Sequence, residues 1–520
     1  MRLRAAVLMG ALLCTAMPVI AAPKADIVPK DVVKEASVDA LQVAMAAGEL
    51  TSEAITKASI RRIETFDKAR GLNAVIVINP EAISEAKALD AERRAGHVRG
   101  PLHGIPVLIK DNVETKDPMA TTAGSLALKD NVTGRDAPVV ARLRAAGAVI
   151  LGKTNLSEWA NIRSNNSMSG WSAVGGLTGN AYDPRRSACG SSSGSGTAVA
   201  WSFAVLAVGT ETDGSVVCPS AMNGLVGLKP SMGLISRTHV VPISHSQDIP
   251  GPMGRSVRDV AIMLTYMSGS DPADVATQEA DTRRADYAAR LTPDGLKGVR
   301  VGVLRDRTGG PGKVETAFNV ALKQLEKAGA VLVDIPASSV EGLGAAELSV
   351  LQTELKADLN AYLATTPPAV KTRTLADLIA FNTAHADEEM PFFGQEFFEA
   401  AEKTKGLADP AYLMAANKAK ILAKSHIDGL LSAYGVSILV APTYGLPWLS
   451  DEINGDQFSG PSASQWPAVS GYPHLTVPMG QVQGQPLGLS FIGTQWSDEQ
   501  LLRAGYAFEQ VSKARLVPKE

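Results

Sequence analysis

The chain has 520 residues, of which 45% are hydrophobic and 20% charged, the profile of a globular protein with ample material for a large core. A formal net charge of −3 carries no basic surplus, which sets nucleic acid aside as a partner. The length alone leaves one large domain or two open.

Arg2 and Arg4 precede the apolar stretch Ala5 to Leu13, and the small or aliphatic residues Val19-Ile20-Ala21 follow. Residues 1–22 therefore read as a secretory signal peptide, too short to span a membrane, with the mature chain starting at Ala22 or Pro23. Pro18 and the lack of a polar face argue against a buried N-terminal helix. Loss of the two arginines takes the formal charge from −3 to −5. The expectation is an exported protein, periplasmic or secreted, with no stable membrane anchor. Cys14 leaves with the signal, and Leu12-Leu13 before it lacks the small residue of a lipoprotein cleavage site. Cys189 and Cys218 remain, and they read as small buried thiols, a disulfide being the alternative in an exported chain. No spacing resembles a metal site.

Ser37 and Ser52 are placed to cap two early helices, the second running to about Lys68, with Gly48 and Gly71 as stops. A third helix is predicted over 81–94. After the loop Gly100-Pro101-Leu102-His103-Gly104, residues 105–109 form a continuous apolar strand of the kind buried on both faces, and Lys110 stands at its carboxyl end. A helix over 138–146 and a strand over 148–151 follow, and the alternation recurs at 301–304, 314–327 and 331–335. Between them, 198–204 reads as a helix and 205–208 as a strand. Residues 339–435 are rich in alanine, leucine and lysine and predict a helical layer or insertion, with a long helix from Pro410 to Leu431. Strands return at 437–440, 475–478 and 487–492, before a closing helix over 498–510. Strand alternating with helix, without a repeat or a long linker, predicts an α/β fold: residues 23–520 as one large domain, a mixed, mostly central sheet covered by helices on both faces.

Three glycine-rich stretches could carry chemistry. Cys189-Gly190-Ser191-Ser192-Ser193-Gly194-Ser195-Gly196 has linker composition but leads directly into the apolar Ala198-Val199-Ala200-Trp201. Its Gly190-Ser191-Ser192-Ser193-Gly194 also fits the nucleophile elbow of α/β-hydrolases with Ser192 as nucleophile. No strand precedes it, and none of the seven histidines, at 97, 103, 239, 245, 385, 426 and 474, lies in a recognisable setting. Gly147 to Thr154 fits the P-loop expression with Lys153, yet its central Ala-Val-Ile-Leu is an apolar strand rather than a phosphate-wrapping turn. The third stretch, Gly209-Thr210-Glu211-Thr212-Asp213-Gly214-Ser215, completes a set of one lysine and two serines that needs no histidine. A serine hydroxyl is activated only if its proton is removed, and a lysine kept neutral by burial can do that.

Pro101 to Asn112, the serine/glycine run and Thr210 to Ser215 resemble, in order and spacing, the amidase signature family, and the likeness extends from about Val38 to Gln510 with Gly471 to Gly480 near its end. Within that family the chain is similar to bacterial peptide amidases, which carry Thr-Glu-Thr-Asp-Gly-Ser and a cysteine three residues past the nucleophile, as Cys218 is here. The resemblance implies Ser215 as nucleophile, Ser191, 24 residues before it, as bridging serine behind a cis peptide bond, and Lys110 as base. It further implies that backbone amides of Thr212, Asp213, Gly214 and Ser215 hold the oxyanion, with the Asp213 side chain pointing away to brace the loop. Trp159 and Trp171, between Ser157 and Ser172, are candidates to line the pocket, with plain packing as the other reading.

The expected reaction is amide hydrolysis through an acyl-enzyme, releasing ammonia from the C-terminal carboxamide of a peptide. An amidase or esterase of small or aryl amides is the rival. Neither a metal nor an organic cofactor is expected, the partner is a small-molecule or short peptide amide, and the oligomeric state is left open. Export argues against the tRNA-linked amidotransferases of the family, and filled catalytic positions argue against a binding protein that has lost activity.

Overall fold

Along Pro106–Lys110 the apolar side chains alternate between the two faces of a sheet, as period-2 geometry requires. Val107 and Ile109 join a cluster with Ile150, Leu206 and Val208 on one face, while Leu108 joins Val149, Leu151 and Ala207 on the other. Burial on both sides is what the unbroken aliphatic run demanded. The computed structural model describes residues 31–309, 312–458 and 460–520, so the predicted signal peptide at 1–22 lies outside the described residues.

The strands are β1 (Val75–Ile78), β2 (Pro106–Lys110), β3 (Val149–Thr154), β4 (Trp171–Ser172), β5 (Gly176–Leu177), β6 (Leu206–Glu211) and β7 (Val226–Lys229), followed by β8 (Ile249–Gly254), β9 (Arg300–Leu304), β10 (Val331–Ile335), β11 (Ile438–Pro442), β12 (His474–Val482) and β13 (Gln485–Ile492). Eleven of them form one mixed sheet in the order β1-β3-β2-β6-β8-β7-β12-β13-β11-β9-β10, and β4 and β5 make a separate ribbon. Parallel pairing joins β3, β2 and β6, and again β11, β9 and β10; the remaining pairs are antiparallel. With sixteen α-helices among the described residues, on both faces of the sheet, this is the single large α/β domain expected.

Local chemistry explains most boundaries. Ser37 caps Val38–Ala46 by accepting from Ala40 N at 3.1 Å. The second helix, Ser52–Phe66, is capped by Thr51 rather than Ser52, whose hydroxyl instead donates to Gly104 O. Asp409 and Gly435 bracket the long helix Pro410–Tyr434. The helix expected at 198–204 begins earlier, as Ser193–Ala200, inside the serine/glycine run. Gly194 explains why: a Cβ there would lie 2.3 Å from Ala74 O and 2.6 Å from Asn155 N, so only glycine lets this helix press against the edge of β3. Strand β8 reads Ile-Pro-Gly-Pro-Met-Gly, a composition that argues against a strand, yet it pairs with β6 along six residues.

The region 339–435 is helical as expected, with helices Leu343–Leu363, Leu375–Ala384, Ala386–Glu389, Glu396–Glu402 and Pro410–Tyr434. Its apolar residues Leu355, Leu359, Leu378 and Phe398 pack on Ala123, Trp159 and Val241, in loops flanking the carboxyl end of β2. No helix among the described residues is long and apolar enough to cross a membrane.

Gly194→Ala puts a methyl group into backbone atoms that cannot move aside. It is expected to cost about 3 kcal/mol or more of folding stability, read as a lowered urea midpoint.

Candidate active site

Lys110 closes β2, parallel to and hydrogen-bonded with β6, so that the carboxyl ends of the two strands meet; open α/β sheets bind ligands at such ends. The Lys110 side chain is 0% exposed. Its Nζ lies 2.7 Å from Ser191 Oγ, 2.8 Å from Thr210 Oγ1 and 3.3 Å from Thr210 O. Asn112 Nδ2 donates to the same Thr210 Oγ1 at 2.9 Å. Burial pulls the amine down to about 7, against the opposing pull of the Asp248 and Glu211 carboxylates. Among the described residues no carboxylate lies within ion-pairing distance of it.

Lys153, beside Ile109 on β3, is equally buried but differently paired. It lies 3.5 Å from Asp111 Oδ1 and donates to Val113 O at 2.7 Å and Thr121 Oγ1 at 2.8 Å. Residues 149–154 form strand β3, so the P-loop reading fails on the ground expected.

The Gly190–Ser191 peptide bond is cis. The Ser191 carbonyl accepts from Ser157 N at 3.0 Å, and Ser192 N donates to Ser215 O at 3.1 Å, which ties the two serine loops together by their backbones. Ser192 Oγ donates to Thr210 O at 3.1 Å and accepts from Thr210 N at 3.2 Å, a buried structural role that leaves no elbow nucleophile. Ser191 is 0% exposed and Ser215 8%. Lys110 and Ser191 are thus brought into contact, while no hydrogen bond joins the Ser191 and Ser215 hydroxyls among the described residues.

Gly214 has φ 79°, and a Cβ there would lie 2.1 Å from Tyr444 Oη, so the turn after β6 needs glycine on both counts. The backbone amides of Thr212, Asp213, Gly214 and Ser215 donate to no acceptor among the described residues. The next two, of Val216 and Val217, donate to Glu211 Oε2 at 2.8 and 3.0 Å. Consecutive free amides in a turn form a concavity that favours an anion. Thr212 Oγ1 donates to Asp248 Oδ1 at 2.6 Å, and burial raises the Asp248 carboxyl to about 6. Burial also pushes the Asp213 carboxyl up, with Ser464 and Lys229 acting against it.

Cys189 and Cys218 are joined in a disulfide, which corrects the expectation of two packing thiols. One lies two residues before Ser191 and the other three after Ser215, and β6 brings the two loops within reach, their Cα atoms 5.9 Å apart. Met222, Tyr444 and Trp448 pack around the bridge. Trp171 is core packing, with Phe392 and Phe393 set edge-on at 5.6 and 5.3 Å. Trp159 packs on Phe398 at 5.9 Å and borders a small void with Asn112 and Ala123.

Thr210, Asn112, Glu211 and Asp248 escaped identification as site residues. The first three lie within the quoted motifs and were legible as neighbours of the lysine and serine. Asp248 reaches the site only through the loop over 243–248, and nothing in its local sequence marks it.

A family model described as "Amidase" matches residues 54–502. A protein of Arabidopsis thaliana named "Probable amidase" is 38% identical over 500 residues, covering 94% of this chain and 92% of that protein. A "Putative amidase" of Arthroderma benhamiae is 36% identical over 546 residues, covering 95% of this chain and 88% of that protein. Among solved structures, native peptide amidase from Stenotrophomonas maltophilia superposes with a TM-score of 0.89 at 50% identity, covering 94% of this chain and 99% of that one. Peptide amidase bound to the competitive inhibitor chymostatin gives 0.91 at 50% identity over the same shares.

A Cys189→Ser/Cys218→Ser double variant opens a loop closed over a sequence separation of 29 residues. It is expected to lose about 2 to 4 kcal/mol of stability, read as a lowered urea midpoint that a reducing agent no longer shifts.

Proposed function

The chain belongs to the amidase signature family and is an amide hydrolase, and from that premise we propose that it removes the C-terminal carboxamide of peptides as ammonia through a Ser215 acyl-enzyme, using Lys110 and Ser191 as its proton relay. The observation that carries this reading is the buried contact of Lys110 Nζ with Ser191 Oγ at 2.7 Å. A neutral amine has two N–H groups and one lone pair. Thr210 O and Oγ1 take up the N–H groups, which leaves the lone pair for the Ser191 hydroxyl.

In the proposed reaction Ser191 gives its proton to Lys110 Nζ and takes one from Ser215, whose Oγ attacks the carboxamide carbon. The negative charge on the former carbonyl oxygen is held by the amides of Thr212, Asp213, Gly214 and Ser215, each donor in such a site contributing about 3 to 4 kcal/mol. Collapse breaks the C–N bond, the relay returns a proton to the departing nitrogen, and ammonia leaves. Water then attacks the Ser215 ester by the same relay, giving the free peptide acid. The carboxamide specificity is drawn from the likeness to peptide amidase, and export from residues 1–22. No metal or organic cofactor takes part in these steps.

Supplied in parallel with a C-terminally amidated dipeptide, a simple aliphatic amide and an aryl amide, the enzyme is expected to release ammonia from the dipeptide with at least tenfold higher kcat/KM. Equal or greater turnover of the other two amides replaces the peptide reading with the small-amide one. Ser215→Ala and Lys110→Ala are each expected to lose at least about 10³-fold in kcat. Since only the neutral amine accepts a proton, the rate should rise with pH through about 7 and level off above it, and an acid limb unchanged in Lys110→Ala removes Lys110 as base. N-terminal sequencing of the exported protein should begin at Ala22 or Pro23.

A further inference from the structure

The peptide unit between Thr212 and Asp213 has two opposite edges, one carrying the N–H and the other the C=O. Its N–H edge, on Asp213, donates to no acceptor among the described residues. Its C=O edge, on Thr212, accepts a hydrogen bond from Gln247 Nε2 at 3.2 Å. The second hydrogen of that amide nitrogen goes to Glu347 Oε1 at 3.0 Å, and Glu347 Oε2 accepts from Gln465 Nε2 at 2.9 Å. Both neighbours of Gln247 Nε2 are acceptors, so the side-chain amide has only one satisfactory orientation. Gln247 and Glu347 are both buried.

The platform behind this chain of bonds is held at several points. Asp248, next to Gln247, accepts from Ile243 N at 2.8 Å, Ser244 N at 2.9 Å and Thr212 Oγ1, so Thr212 is gripped by side chain and carbonyl together. Ser246 Oγ donates to Glu354 Oε1 at 2.6 Å and His245 N to Asp358 Oδ2 at 2.8 Å. Glu347, Glu354 and Asp358 all belong to the helix Leu343–Leu363 of the helical layer. A peptide unit is planar, so fixing the direction of its C=O fixes the direction of its N–H on the opposite edge. A donor on the carbonyl also polarises the unit and strengthens the N–H as a donor.

We infer that Gln247 and Glu347 are positioning residues that aim the Asp213 N–H at the developing oxyanion, so that the helical layer takes part in catalysis without touching substrate. This inference rests on the reading in which the amides at 212–215 hold the oxyanion. It assigns a task to two residues more than thirty positions from the nucleophile in sequence, neither of which carries the proton relay.

Gln247→Met removes both donated bonds at similar size, and Glu347→Ala frees the far end of the chain. The expected result is a kcat lowered about 10- to 100-fold in Gln247→Met and about 3- to 10-fold in Glu347→Ala, with KM within threefold of the parent. A peptide aldehyde, which forms a tetrahedral adduct on a serine, should weaken in step with kcat/KM, while a peptide acid binding without an adduct should not. Unchanged kcat in whichever of the two variants retains the parent circular dichroism overturns the inference. Equal weakening of aldehyde and acid does the same, since a general loosening of the site predicts that pattern. Failure of the underlying reading shows up separately, in the parent enzyme, as a peptide aldehyde that binds no more tightly than the peptide acid, because amides that hold the oxyanion stabilise only the adduct.

Discussion

Everything at this site depends on keeping one ammonium-forming group out of water without giving it a counter-charge. Lys110 is buried among Ser191, Thr210 and the sheet, and desolvation favours its neutral form. Asp248 and Glu211 act in the other direction but at a distance. Glu211 is held through Oε2 by two backbone amides, and Asp248 by two amides and a hydroxyl. Lys153 is the internal contrast. It has the same burial and sits one strand away, but the Asp111 carboxylate beside it marks a structural ion pair.

That constraint dictates much of the surrounding architecture. A buried amine at a strand end needs apolar walls on both faces of the sheet, which the alternating clusters around Val107, Leu108 and Ile109 supply. It also needs a small-residue helix, because the Ser191 loop can approach the lysine only if the following helix sits close to β3. Gly194 permits that approach, and the Ser192 and Thr210 bonds lock the loop onto β6. The Cys189–Cys218 bridge ties the same two loops covalently.

The helical layer has a less obvious place in this scheme. It caps the loops beside β2 through Leu355, Leu359 and Phe398, and it supplies Glu347, Glu354 and Asp358 to the loop over 243–248. A region that the sequence predicts only as helical is therefore hydrogen-bonded, through one glutamine, to the turn that follows β6.

Much of this was legible in sequence because the relevant signals are local. The aliphatic run ending at Lys110, the cap at Ser37 and the helix opened by Asp409 are all decided within a few residues of themselves. Signals failed where tertiary contact overrode local preference. Glycine and serine are poor helix formers, so the start at Ser193 was missed, and Pro250 and Pro252 hid strand β8. The sequence by itself determined the family, the mixed α/β fold and the residue types that can carry acyl transfer. Only the tertiary structure decided that burial brings the Lys110 amine down to about 7, that the two cysteines are bonded, and that Gln247 and Asp248 stand behind the turn after β6. Desolvation, cross-linking and the direction of a peptide N–H depend on groups far apart in the chain, and no local pattern encodes their meeting.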